Sequence, residues 1–282
     1  MLNDWNPVTL IDQWFSEDIG EGDHTTLSTI PASASGSAVL LVKEDGVIAG
    51  VKMAKRIFNR FDSALRCNIF IEDGEEIRIG DTVLSVHGSV RSILQTERLI
   101  LNVAQRMSGI ATQTRKYVKL LEGTDTRILD TRKTTPGFRH IEKAAVEIGG
   151  AVNHRAGLYD MILIKDNHID FAGGIDKAIL RAGEYLAEHN LDLQIEVETR
   201  SLEDIEIVLK TGGVSRIMLD NFSPELTKEA VQLIKGKYET ESSGGITIDT
   251  IREYAECGVD FISVGALTHQ IKSLDLSLKA DF

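Results

Sequence analysis

The chain has 282 residues, 42% hydrophobic and 26% charged, and its 43 acidic against 31 basic side chains leave a formal net charge of -12. This is the profile of a soluble globular protein with room for one large domain and a smaller one, and its acidity excludes a general binder of nucleic acid or anionic membranes, which needs a broad positive field. No run of about 18 apolar residues occurs and no basic segment followed by an apolar one opens the chain, while Cys67 and Cys257 lack ligand spacing, so a cytosolic protein with two small core thiols is expected.

Residues 8–18 place Leu10, Ile11, Trp14 and Phe15 at helical spacing, with Ile19 and then Gly20 closing the helix. The segment EDIGEGDHTT that follows reads as a turn-rich surface loop in which Asp23 and Thr25 act as caps. From Gly36 to Arg91, short apolar runs divided by Asp-Gly and Gly-Asp turns predict antiparallel strands, interrupted by a helix over Met53–Phe61. The second set of runs has the form of a hammerhead-like carrier sheet, but Lys52 opens a helix instead of standing at a hairpin tip, so it reads as a solvated surface residue. Gln95–Glu122 gives the longest helical pattern, with Ser108-Gly109 as an expected kink or break and Gly123 beyond its end.

After Gly123 a rhythm begins in which each apolar run ends in a polar residue and leads into an amphipathic helix. The runs are Arg127–Leu129, Met161–Ile164, Leu193–Val197, Ile217–Leu219, Tyr238–Glu241 and Phe261–Val264, and the helices fall near Arg139–Ile148, Ile175–His189, Leu202–Lys210, Pro224–Ile234 and Ile248–Cys257. Such alternation means parallel strands with helices outside, an α/β barrel in preference to an open doubly wound sheet. In a barrel, functional side chains collect at the C-terminal strand ends.

Those ends carry chemistry here. Arg132, Lys133 and three threonines, a Pro-Gly turn and Arg139 can surround a dianion with charge and hydrogen bonds; the competing reading is a loop whose charges face water. His154-Arg155 follows the flexible Gly149-Gly150, and Lys165 ends an apolar strand, either facing the barrel mouth or paired with Asp166 or Asp170. His154 and His168 lack the spacing of known metal motifs. Glu196 and Glu198 share one strand face and Asp220 ends the next strand. These carboxylates suit a hard divalent cation or, equally, a salt-bridge network. Ser242-Ser243-Gly244-Gly245 and the Gly265 loop follow the final two strands, where barrels bind phosphate.

DTRKTTPGFR, NHRAGLYDMILIKDNH, EVE, LDNF, SSGGI and NVAQRMSGIATQT, spread over nearly the whole chain, together resemble the quinolinate phosphoribosyltransferases. EDIGEGDHTT is similar to that family's opening and so argues against a bare surface loop. The resemblance implies an N-terminal α/β sandwich over residues 1–110, joined by 270–282, and an incomplete C-terminal (β/α) barrel over 111–269. It implies phosphoribosyl transfer from phosphoribosyl pyrophosphate to quinolinate with loss of CO₂, in NAD biosynthesis, by a cytoplasmic homodimer using Mg²⁺. By the same resemblance Arg132, Arg139, His154, Arg155 and Lys165 hold the quinolinate carboxylates, with Lys133 between that pocket and the phosphoribosyl site. Glu198 and Asp220 hold Mg²⁺ and ribose hydroxyls, Ser243, Gly244, Gly245 and Gly265 the 5′-phosphate, and Arg106 reaches the partner subunit's pocket. Phe138 and Ala151 depart from the family pattern, and a long segment before Glu198 leaves Glu196 as its alternative. The rival readings are a relative acting on another acidic ring, such as nicotinate, and a non-enzymatic carrier or metabolite-binding module.

Overall fold

The structure is a computed structural model and describes residues 5–281; positions 1–4 and 282 of the expected N-terminal domain lie outside the described residues. The chain divides into two compact units. The first comprises the residues up to Arg115, His140–Gly150 and those from Gln270 on; the second comprises Lys116–Arg139 and Ala151–His269.

In the first unit α1 (Val8–Asp18) and α2 (His24–Thr29) precede β1 (Ser35–Val42), β2 (Gly46–Val47), α3 (Val51–Phe61), β3 (Arg66–Ile69), β4 (Glu76–Ile77), β5 (Thr82–Ser89) and α4 (Val90–Leu120). The EDIGEGDHTT segment is partly helical, because the Asp23 carboxylate accepts the Thr26 N–H and starts α2. β1 pairs antiparallel with β5 and with the last strand of the chain, Leu276–Asp281, giving a four-stranded sheet closed on its other side by β3. The Lys52 side chain is 70% exposed and lies 3.8 Å from Glu72, as expected of a surface residue.

The expected break at Ser108-Gly109 does not occur: α4 runs through it as one 31-residue helix. Both residues are used sideways. The Ser108 hydroxyl accepts the Ala49 N–H at 2.9 Å and donates to the Ala49 carbonyl at 3.1 Å, and Gly109 leaves room for the backbone of Lys272 and Ser273. A small residue in mid-helix here marks a close neighbour, not a bend.

α5 (Arg139–Gly149) has a sharply divided apolar face with Ile141, Ala145 and Val146 buried. All but its first residue belongs to the first unit, although it lies within the stretch expected for the barrel. The Arg115 guanidinium donates to the Gly149 carbonyl at 2.9 Å, and Arg106 pairs with the fully buried Glu142 at 2.6 Å.

In the second unit β6 (Arg127–Leu129), β7 (Ile162–Ile164), β8 (Ile195–Thr199), β9 (Arg216–Asp220), β10 (Glu239–Ser243) and β11 (Phe261–Ser263) form one parallel sheet in the order β6-β11-β10-β9-β8-β7. That order is circular, with a single seam between β6 and β7. It is the incomplete barrel. α6 (Asp166–Ala172), α7 (Ile175–His189), α8 (Leu202–Thr211), α9 (Pro224–Ile234), α10 (Ile251–Glu256) and α11 (Ala266–His269) connect the strands, and β12 (Leu276–Asp281) completes the first sheet. α6 was not visible in the apolar rhythm, and α10 is shorter than expected. α8 and α9 start where Ser201 and Ser223 accept the Asp204 and Leu226 N–H groups. Cys67 and Cys257 are free and only partly buried, so neither is a full core residue.

Candidate active site

The parallel bridge between Leu129 and Val152 lays the second basic cluster beside the first. Asp130, fully buried at the end of β6, fastens them: its Oδ1 accepts the His154 N–H at 2.8 Å. Arg139 crosses the same gap, donating through Nε to Thr134 Oγ1 and through Nη1 to the Ala156 carbonyl, both at 3.0 Å. The Asp160 carboxylate accepts the Ala156 and Gly157 N–H groups at 2.7 and 2.8 Å and closes the loop. Charge is thus concentrated by main-chain ties that require no ligand.

Arg155 is buried and donates to the Met161 carbonyl at 3.1 Å. Burial, and then the charge of Arg132, lower its pKa, so the two like charges repel. The Arg132 Nε is buried without a hydrogen-bond partner among the described residues. An anion between them would relieve both the repulsion and the unpaired donor.

Lys165 is about half exposed, and its Nζ lies 3.6 Å from Glu198 Oε2. Asp170, one of its expected partners, pairs with Arg200 instead. The His168 Nδ1 accepts the Lys165 N–H at 2.9 Å, so that ring starts α6. The Glu198 pKa is raised, first by burial and then by the carboxylates of Asp220 and Asp166, with Lys165 opposing. Such a cluster of like charges with one ammonium nearby fits a divalent cation.

Glu196 points to the same side of β8 but sits one layer deeper. It is fully buried, its Oε2 lies 3.1 Å from His154 Nε2, and Glu241 approaches the same nitrogen at 3.5 Å. Burial, and then Glu241, push the Glu196 pKa up to about 7. The His154 ring therefore lies against these two buried carboxylates. The two carboxylates favour a protonated ring and, against the cost of burial, would carry its pKa up to about 9. The Arg155 N–H, donated to His154 Nδ1 at 2.7 Å, decides against it, because an imidazolium has no lone pair at that atom.

At the last two strand ends, Gly244 has φ +95° and Gly245 φ +64°, and a side chain at Gly244 would run into Asn221. At Gly265 a Cβ would lie 3.1 Å from Lys133 Cδ. The Thr268 hydroxyl donates to the Lys133 carbonyl at 2.8 Å, so Lys133 runs along the β11 end. Every site residue named from the sequence belongs to the second unit except Arg106, which belongs to the first. Sequence reasoning missed Asp130, Arg216 and Glu241, whose only signal is a charge within or at the end of an apolar strand.

Residues 23–108 match the family model "Quinolinate phosphoribosyl transferase, N-terminal domain", and residues 110–279 match the model of its C-terminal domain. The chain belongs to the quinolinate phosphoribosyltransferase family. Among curated members, the chloroplastic nicotinate-nucleotide pyrophosphorylase (carboxylating) of Oryza sativa is 44% identical over 96% of this chain and 77% of its own length. The probable nicotinate-nucleotide pyrophosphorylase of Bacillus subtilis is 40% identical over 95% of this chain and 91% of its own. The crystal structure of NadC from Streptococcus pyogenes, 38% identical, superposes over 99% of both chains with a TM-score of 0.92. The quinolinate phosphoribosyltransferase resemblance, with its small N-terminal sheet and incomplete parallel barrel, is thereby borne out.

Proposed function

We propose that this chain transfers the phosphoribosyl group of phosphoribosyl pyrophosphate to quinolinate, yielding nicotinate mononucleotide, pyrophosphate and CO₂ for NAD biosynthesis. The observation that carries this reading is the Arg132–Arg155 pair with its unpaired buried Nε, a place built for a carboxylate. The names of relatives that match nearly the whole chain support it.

In this reading Arg132 and Arg155 meet the acceptor carboxylates, Arg139 holds the two cationic loops together, and Lys165 lies at the entrance. Lys133 lies between acceptor and donor, and the Ser243, Gly244, Gly245 and Gly265 backbone receives the 5′-phosphate. Glu198 and Asp220 would hold Mg²⁺, whose charge offsets that of the departing pyrophosphate. The pyridine nitrogen bonds to the ribose C1′ as the bond to pyrophosphate breaks. The resulting cationic ring accepts the electron pair of the adjacent carbon–carboxylate bond as CO₂ leaves, and a proton from solvent replaces it.

We further infer a homodimer in which Arg106 serves the partner's site, and a cytoplasmic location on the ground of the two free thiols. Some plant relatives carry chloroplastic or mitochondrial names; no helix among the described residues is long and apolar enough to cross a membrane.

The test is product formation by the purified protein with phosphoribosyl pyrophosphate and Mg²⁺, offered quinolinate or nicotinate in separate reactions. Nicotinate mononucleotide and CO₂ from quinolinate alone are expected. Turnover of nicotinate alone would keep the donor side of the site and overturn the reading of the basic pair.

A further inference from the structure

The LDNF segment closes β9, and the proposed chemistry uses its aspartate, Asp220, but gives its asparagine no part. Asn221 has φ +57°, in the left-handed region, which is costly for every residue but glycine and least so for asparagine and aspartate. Among the described residues only three that are not glycine take such a value. Asn190 and Lys235 are the C-caps of α7 and α9, where a left-handed residue is the ordinary way to end a helix. Asn221 ends no helix. A strained residue directly after the strand that carries a cation-side carboxylate points to what that strain places.

Three contacts define it. The Asn221 amide nitrogen donates to Asp220 Oδ2 at 2.7 Å. The Asn221 main-chain N–H donates to the Ser243 carbonyl at 2.8 Å, where β10 sets Ser243 opposite Asp220. The amide also lies against the next residue of that turn: a Cβ at Gly244 would run into it and stand 2.9 Å from the Asn221 nitrogen. A carboxylate accepts from the amide nitrogen and repels its oxygen, so the oxygen is the end packed against Gly244. We propose that Asn221 is a positioning residue of the donor site: the Ser243-Gly244 turn holds Asn221, and the Asn221 amide fixes the rotation of the Asp220 carboxylate. The turn assigned to the 5′-phosphate thereby sets the carboxylate assigned to the cation. This rests on the reading of Asp220 and the 243–245 turn as donor-side groups.

Asn221→Gly isolates this contact, because glycine accepts the left-handed backbone freely and keeps the N–H to Ser243, so only the amide is removed. Mn²⁺ serves as the probe for the divalent cation. Free Mn²⁺ is followed by electron paramagnetic resonance in the presence of phosphoribosyl pyrophosphate and without quinolinate, so that no turnover occurs. The Mn²⁺ affinity of Asn221→Gly is expected to fall about 10- to 100-fold, the usual effect of losing a hydrogen bond to a ligating carboxylate. Its urea midpoint stays at or above that of wild type. Unchanged Mn²⁺ affinity, whatever the stability, would make Asn221 a strand terminator only and overturn the proposal.

Asn221 is exposed, so direct contact of its amide with the donor is the rival reading, and a double-mutant cycle with Asp220→Ala separates the two. Read on kcat/KM for phosphoribosyl pyrophosphate, Asn221→Gly is expected to cost about 10- to 100-fold in the wild-type background and less than about threefold once Asp220 is gone, because a residue that acts through Asp220 then has nothing left to orient. Effects that multiply in full would make the amide a donor ligand and overturn the proposal. Wild-type protein that binds Mn²⁺ yet makes no product from quinolinate would remove the functional reading and leave the role of Asn221 standing. Wild-type protein that binds no Mn²⁺ would overturn the role of Asp220 and this proposal with it.

Discussion

Gly109→Ala is the substitution for which helix propensity and packing give opposite answers. Alanine in a mid-helix position is worth about 1 kcal/mol over glycine. At Gly109, however, the new methyl would run into the Lys272 carbonyl oxygen and lie 3.1 Å from both the Lys272 carbonyl carbon and Ser273 Cα. Backbone cannot rotate away as a side chain can, so the cost belongs at the upper end of overpacking, about 3 kcal/mol. The expected net loss is about 2 kcal/mol, taking the propensity gain from the packing cost. Gly183 in α7 is the control: it is exposed, has an ordinary helical backbone, and a Cβ there meets nothing within 4 Å. Gly183→Ala is expected to stabilise by up to about 1 kcal/mol. Equilibrium urea unfolding followed by tryptophan fluorescence suits the Gly109 case, because the chain's two tryptophans, Trp5 and Trp14, both lie in the first unit. Unfolding of the second unit is followed by circular dichroism for the control. A Gly109→Ala protein as stable as wild type would show that the 272–273 segment yields, and would refute the close-approach account of this glycine.

Arg132→Lys is expected to raise the KM for quinolinate by roughly 10- to 100-fold, since one ammonium cannot reproduce a guanidinium fork; unchanged quinolinate affinity would count against the assignment. Arg106→Ala and Lys133→Ala, each inactive alone, are expected to regain about a quarter of wild-type activity after random reassortment, because half the dimers then hold one intact site. A verified mixed dimer with no activity would refute the shared site. The third expectation concerns pH. The Glu196 pKa stands at about 7 in the folded protein against 4.5 for the free side chain. A carboxyl with a raised folded pKa contributes stability that is complete below about pH 4.5 and is lost as pH rises through 7. The loss is up to about 3 kcal/mol. Urea titrations from pH 5 to 8 should therefore show Glu196→Gln gaining on wild type as pH rises, and parallel pH profiles for the two proteins would contradict this.

The barrel was legible because parallel strands buried on both faces leave apolar runs, and all six runs became strands. The alternation Ile195-Glu196-Val197-Glu198 also told correctly that two carboxylates share a face. It did not tell depth. Glu196 and Glu198 have the same periodicity, yet one meets His154 in the interior and the other meets Lys165 near the strand end. Position along the barrel axis depends on neighbouring strands, and local pattern carries no record of that. The contact of the His154 ring with Glu196 and Glu241 was hidden for the same reason, because those partners come from β8 and β10. α5 shows another limit: amphipathicity revealed that the helix has a buried face but not that most of it packs within the first unit.

The two units are interleaved in the chain, which passes from one to the other at residues 115/116, 139/140, 150/151 and 269/270. β12 is an outer strand of the first sheet and pairs along β1 from Ser37 to Val42. During synthesis β1 therefore waits with one edge unpaired until the entire barrel segment and β12 have emerged. The N-terminal unit is the first to be made and the last to be finished, so its folding cannot follow the simple domain-by-domain order. An open strand edge in that interval is a template for pairing with another chain. Truncations near the C-terminus should accordingly harm yield in the cell before they harm the barrel that carries the chemistry.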